Sequence, residues 1–342
     1  CVGSNAVYSI WNGTSWSATS TISLVNTNAC EWVQLTSDPT SDEIVALFRN
    51  NSASTTDFEA LVWSGSSWGN SKTLGDISNN AYEGMAVNYE ESGGQAVIVA
   101  SNNANNSFLW SAWNGSSWTT ATATAVGNDF YWASLKRDVG TDQMALCYVD
   151  ADNDIGVILW NGSSWNTFSE IDQNNNDIAG RGVDCEYETI SGRDGDIIIP
   201  YSDGVLPRSH TYSYPSSPFS PQADFSTMTD RRYMHAVRGG DGIVHVYTLD
   251  DASNPDRYDT SRWDGSTWST LSNFSTNPSI TGTPYNGSIS MAAQLSPNFT
   301  EGSIRSTPIE FSSGNSPQWE RVRWNDTTPG ASDIKYRVYY ET

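Results

Sequence analysis

Few groups in this chain could do acid–base or metal chemistry, so their spacing is the first thing to read. Asp150, Asp152 and Asp154 set carboxylates at alternate positions, as a calcium-binding loop does. The pattern breaks at Ile155, where a helix-loop-helix calcium site has glycine, and at Asn161, where it has glutamate. No cofactor is called for; Ca2+ is the one ion the loop could suit, against the plainer reading of a polar hairpin tip. Asp250, Asp251 and Asp256 form a similar loop with the same two readings. Three histidines (His210, His235 and His245) stand in different contexts, His235 and His245 on neighbouring strands, too few for a triad or metal cluster. Four cysteines show no Cys-x-x-Cys spacing. In an oxidising compartment Cys147 with Cys185 and Cys1 with Cys30 are the pairs to test first, with buried free thiols as the alternative. Trp32 and Trp132 occupy equivalent strand positions, and Tyr82 and Tyr131 open the same strand in neighbouring units, so these four are the candidate ligand-stacking residues.

What positions these groups is a repeat. Trp-x-Gly-x-x-Trp occurs at Trp11–Trp16, Trp63–Trp68, Trp113–Trp118, Trp160–Trp165 and Trp263–Trp268, with Asn, Ser or Asp second. The first tryptophans are 52, 50, 47 and 103 residues apart, and the last gap is two periods, so a degenerate copy is expected near Thr211–Pro218. Asn-Gly or Asp-Gly between β-prone flanks is a tight-turn signal, because glycine accepts the positive φ that other residues resist. The paired tryptophans staple strand ends, packing between units rather than stacking on a ligand. Continuous apolar runs such as Glu43–Phe48, Gln95–Ala100, Gln143–Tyr148, Asp196–Tyr201 and Gly242–Tyr247 read as strands buried on both faces.

Four strands per unit with a repeat near 50 residues fit a propeller blade better than a sandwich. The expected fold is all-β, a six-bladed β-propeller over residues 1–311, with seven blades as the fallback. Each Trp turn is taken to follow the fourth strand of its unit. Ala6–Trp11 is then a fourth strand lacking its first three, and would close the last blade. Residues 312–342 leave the repeat and read as a C-terminal β extension or the start of a truncated β-sandwich.

Charge narrows the partners. With 39 acidic and 17 basic residues the net charge is -22, which repels phosphate backbones and anionic headgroups. No apolar run approaches the roughly 18 residues needed to span a bilayer. No basic-then-apolar leader stands before Cys1, which leaves a removed leader, a mature lipoprotein cysteine or a processing boundary as readings of the start. Nine Asn-x-Ser/Thr sequons (Asn12, Asn50, Asn105, Asn114, Asn161, Asn273, Asn286, Asn298 and Asn325) are possible glycosylation sites, though several coincide with the turns.

The repeat resembles the Trp-rich secreted propellers of bacterial and archaeal surface proteins and, more loosely, tandem-repeat propeller lectins. The resemblance covers residues 5 to about 311 and rests on turn and packing positions. It implies an extracellular or cell-surface location, and partners that are other surface or filament subunits or cell-surface glycans. The sialidase Asp box does not match, since Asp264 and Gly265 are adjacent where that motif separates them. Arg181, Arg231, Arg232 and Arg238 supply guanidiniums for a substrate carboxylate by number only. Glycoside hydrolysis is therefore a minor alternative, and the chain is read as no enzyme. Two main readings remain: a non-catalytic module for surface display, adhesion or filament assembly, and a repeat lectin with sites between blades.

Overall fold

In the computed structural model the described residues run from Asn5 to Thr276, apart from 26–28, 51–56, 78–81, 104–105, 167–168, 174–179, 191, 204–205, 214–218, 226–230 and 251–256. At 231–232, 249–250, 257–258 and 270–276 the backbone alone is described. The chain divides into two compact units, Cys1–Asn298 and Phe299–Thr342. The second unit, with the expected extension over 312–342, lies outside the described residues.

Strands β1 (Ala6–Tyr8) and β2 (Ser20–Ile22) form a two-stranded sheet, and five four-stranded sheets follow. The first blade is β3 (Cys30–Ser37), β4 (Ile44–Asn50), β5 (Phe58–Trp63) and β6 (Trp68–Leu74). The second is β7 (Met85–Tyr89), β8 (Ala96–Asn102), β9 (Ser107–Trp113) and β10 (Thr122–Ala125); the third is β11 (Phe130–Arg137), β12 (Met144–Asp150), β13 (Ile155–Trp160) and β14 (Ser169–Asp172). The fourth is β15 (Glu186–Tyr187), β16 (Asp196–Ser202), β17 (Pro207–Ser213) and β18 (Ala223–Asp224), and the fifth β19 (Arg231–Arg238), β20 (Val244–Asp250), β21 (Arg257–Trp263) and β22 (Trp268–Thr276). Every sheet is an antiparallel meander, and no helix occurs among the described residues. The fold is a six-bladed β-propeller, with β1 and β2 as the described part of the sixth blade.

Burial follows sheet position. Every residue of β8, β12 and β13 is buried, because each has a strand on either side and a blade on either face. The outermost strands β6 and β10 are largely exposed and carry the polar residues. The first strands of successive blades pack together, β3 on β7, β7 on β11, β11 on β15 and β15 on β19, and so line the middle of the ring.

The repeat's phase differs from the sequence-based expectation. Trp63 pairs across the ladder with Trp68, and Trp263 with Trp268, while Trp11–Trp16, Trp113–Trp118 and Trp160–Trp165 form the same antiparallel bridges. The Trp turn therefore joins the third and fourth strands within one blade and does not divide two blades. By that phase the N-terminal segment brings two strands, β1 and β2, to the sixth blade, where one was expected.

Candidate functional site: the interfaces between blades

The turn is built by its second residue. The Oδ1 atoms of Asn12, Asn114, Asn161 and Asp264 each accept backbone N–H groups two and three residues on, at 2.9–3.0 Å. Glycine follows with φ of 85–92°. Those hydrogen bonds hold the exposed Asp264 carboxyl down at about 2. Each turn sets its two indoles 5.2–5.5 Å apart, and in the first, second, third and fifth blades the turn reaches the preceding blade.

In the second, third and fifth blades the first indole is buried and makes a hydrogen bond across the interface, while Trp63 is half-buried against Tyr8 and Trp11 is exposed. Trp113 Nε1 donates to Glu43 Oε1 at 2.6 Å, Trp160 Nε1 to Glu90 Oε1 at 2.7 Å, and Trp263 Nε1 to Glu188 Oε1 at 2.9 Å. The second indole stays half-exposed at the outer groove. Trp118 donates to Asn70 O and Trp268 to Ser209 Oγ; Trp165 packs on Phe108, and Trp68 on Tyr8 of the sixth blade. The tryptophans thus staple adjacent blades, as read from the sequence.

The position of two of these acceptors escaped the sequence reading. Glu90 and Glu188, with Asp38 and Asp138 in the first and third blades, each stand one residue past the first strand, and each N–H closes the loop to the second strand on a carbonyl, at 2.7–2.9 Å; Glu43 alone lies at the other end of that loop. The spacing of the other four, 52, 48 and 50 residues, is the repeat period and was the signal available. Burial pushes the Glu90 carboxyl up, with Asp142 adding to it, while the Trp160 indole pulls it back down.

Among the described blades the fourth alone lacks the Trp turn. The first Trp of each complete turn pairs with the opening residue of its second strand: Trp63 with Ile44, Trp113 with Ala96, Trp160 with Met144, Trp263 with Val244. Ser213 holds that position opposite Asp196. The third-blade acid in the position of Glu90 and Glu188, Asp138, is 4% exposed; its Oδ2 accepts from Thr141 Oγ1 at 2.7 Å, but its Oδ1 has no hydrogen-bond partner. Burial pushes the Asp138 carboxyl up; Thr141 lowers it and Asp194 raises it. A cleft of about 210 Å³ opens between the loops that precede β12 and β16, lined by Asp138, Thr141, Gln143, Asp194 and two glycines.

The four aromatic candidates come together, though not as separate clefts. Tyr82 stacks on Tyr131 at 4.1 Å, Trp32 meets Trp132 edge-on at 5.5 Å, and Tyr82 meets Trp132 at 5.9 Å. They belong to three successive first-strand segments and pack on one another, with Trp132 and Tyr82 buried. Beside them an ionic network joins blades three to five. Asp184 accepts from Ser134 Oγ and from Ala236 N at 2.8 Å, with Lys136 Nζ and His235 Nδ1 each at 3.4 Å. Burial is the largest single influence and opposes both charges, but it is outweighed by the neighbours together: Asp184 and Glu186 hold Lys136 up, and Lys136, His235 and the hydrogen bonds from Ser134 and Ala236 hold Asp184 down.

Among the remaining candidate residues two expectations are corrected, at Cys147–Cys185 and at Asn50. Asp150 Oδ1 accepts from Asp152 N and Asp154 N at 2.9 and 3.0 Å, so it caps a hairpin, and no cluster of three metal-binding side chains occurs among the described residues. The second acidic loop, with Asp251 and Asp256, lies outside those residues. Cys147 and Cys185 are buried free thiols rather than a disulfide; Cys185 Sγ instead points its hydrogen bond at Ala145 O, 3.6 Å away. Cys30 is disulfide-bonded, and Cys1 is outside the described residues. Asn50 is fully buried, which excludes a glycan there in the folded chain, while Asn12, Asn114 and Asn161 are exposed turn residues. Asn105, Asn286, Asn298 and Asn325, and the side chain of Asn273, are outside the described residues. His210 stacks on Tyr201, far in sequence from His235, and His235 and His245 sit diagonally on β19 and β20. Arg181 pairs with Glu83 and Arg238 with Glu186, so neither is part of an anion-binding cluster; the side chains of Arg231 and Arg232 are not described.

No protein-family model matches the chain, and no curated protein does. Solved structures do. The BP39L lectin from Burkholderia pseudomallei is similar at a TM-score of 0.57 and 12% identity, over 78% of this chain and 76% of that one. The six-bladed fucose-recognising lectin of Aleuria aurantia (TM-score 0.45, 15% identity, 76% and 84% covered) and the SapL1 lectin (0.47, 14%, 79% and 95%) are similar too. At these identities the likeness is one of fold.

Proposed function

We propose that this propeller is a non-catalytic carbohydrate-binding module working outside the cell. The observation that carries the reading is the second indole of each Trp turn. Trp68, Trp118, Trp165 and Trp268 are all half-exposed, and each touches the preceding blade at the groove between the two. An aromatic face beside hydroxyls, amides and carboxylates is what a pyranose needs, its C–H face on the ring and its hydroxyls on the polar rim. Repetition around the ring turns several weak sites into an avid surface for clustered glycans. The same architecture serves as a lectin in the Burkholderia protein. Surface display for adhesion or assembly then describes where the module works, with cell-surface glycans as its partners.

A glycan array tests this. The expected result is a set of hits sharing one terminal sugar, weakened about tenfold by Trp118→Ala or Trp268→Ala with the fold retained. An array without hits would refute the reading and leave assembly as the function to examine.

A further inference from the structure

The interface between the third and fourth blades is constructed like its neighbours but is missing its plug. At three other interfaces a carboxylate receives an indole N–H from the next blade: Trp160 on Glu90 and Trp263 on Glu188, both in the position Asp138 holds, and Trp113 on the half-buried Glu43, beside the second strand of the first blade. Here Ser213 replaces the tryptophan, and Asp138 Oδ1 is left buried without a partner. A buried acceptor that loses its donor costs about 1–3 kcal/mol, more when charged, so the site favours any group that restores one.

A second contact is also missing. Across the preceding interface Asp142, two residues before β12, accepts from Ser92 N at 2.9 Å, Ser92 Oγ at 2.8 Å and Gly93 N at 2.7 Å. Asp194 is its counterpart two residues before β16, and it makes no such bonds to the third-blade loop. Two acids therefore face one cleft, and the nearest guanidinium on the fourth blade, Arg193, is taken by Glu188 and Asp196. Gly140 and Gly195 leave its walls open: a Cβ on Gly140 would meet nothing within 4 Å, and one on Gly195 would stand 3.9 Å from Asp138 Oδ2.

We infer that this cleft is a binding site for an indole carrying a positively charged amine, the ring standing between the third- and fourth-blade loops as a turn tryptophan does at the neighbouring interfaces, its N–H donated to Asp138 and the ammonium turned to Asp194. The protein shows the indole half of that recognition three times in its own interfaces. The one cation whose charge reaches Asp138, Arg238, is already paired with Glu186 and hydrogen-bonded to Tyr187 O, so the two carboxylates select a cationic over an anionic indole. This site is separate from the half-exposed indoles proposed to hold sugars, and neither reading depends on the other.

Calorimetric titration of the full chain with tryptamine tests it. One site per chain is expected, with 1-methyltryptamine, which lacks the ring N–H, at least tenfold weaker and indole-3-acetate weaker still. Ser213→Trp supplies the missing plug from within and abolishes tryptamine binding; should that variant not fold, Asp138→Ala, which removes the acceptor, weakens binding at least tenfold. Absence of tryptamine binding at millimolar concentration overturns the assignment, as does equal binding by 1-methyltryptamine or undiminished binding by the folded variants. Glycan-array results would be unaffected by any of these outcomes.

Discussion

The third and fourth blades are neighbours with the same strand order, and they differ in how each is fastened to the blade before it. The third drives Trp160, 2% exposed, onto Glu90 and keeps Trp165 on Phe108. The fourth has Ser213 in that place, and rebuilds its hairpin from His210 Nδ1 against Ser220 O at 2.7 Å and Tyr212 against Phe219 at 4.8 Å. It holds to the ring through the axis instead, where Asp184 ties Ser134 and Lys136 of the third blade to Ala236 of the fifth. A repeat can therefore drop a peripheral fastening where an axial one substitutes, and the vacated place becomes free for another use.

Breaking the intact fastening should have the largest effect. Trp160→Ala is expected to cost about 3–5 kcal/mol in denaturant unfolding, since it empties a buried indole site and strands a carboxylate. Ser213→Ala should cost less than about 0.5 kcal/mol.

Next in size is a pH effect. Burial raises the Asp57 carboxyl to about 7 and Asp150 to about 6, so the folded state holds protons that the unfolded chain releases near its ordinary pKa of 3.8. Stability is then greatest near pH 4 and falls as pH rises toward 7. Asp57→Asn should flatten that slope, removing on the order of 2 kcal/mol of the pH dependence. Melting curves across pH decide it, and stability rising over that window would contradict the assignment.

The smallest contrast sharpens the comparison further. Glu90→Gln should cost about 1–2 kcal/mol by weakening a charge-assisted bond to Trp160. Asp138→Asn should be neutral or slightly stabilising, because it removes a buried charge with no donor at Oδ1.

How much of this was legible in sequence follows from how local each feature is. The turns were readable because their chemistry closes within six residues: a side-chain oxygen accepting two N–H groups, then a glycine at positive φ. The phase of the blades was not, since apolar periodicity marks a strand without saying which strand ends a sheet. The acids at Asp38, Glu90, Asp138 and Glu188 recur with the period but alternate between two residue types, and they stand among 39 carboxylates. Trp32 and Trp132 were singled out for equivalent positions, yet that they touch depends on ring closure across 100 residues. The same holds for Lys136 and Ala236. The absent sixth copy was visible as a gap in spacing, while the orphaned Asp138 of the preceding blade needed the register of β16 and β17.

A double-mutant cycle tests the central claim most directly, by comparing position 160 with Glu90 and position 213 with Asp138. The account predicts a coupling of about 1–2 kcal/mol between Trp160 and Glu90. Between Ser213 and Asp138 it predicts none, with a coupling of the same size appearing once Ser213→Trp is introduced. No coupling in the Ser213→Trp background, in a variant that folds, would contradict the claim that this interface is a vacated copy of the others.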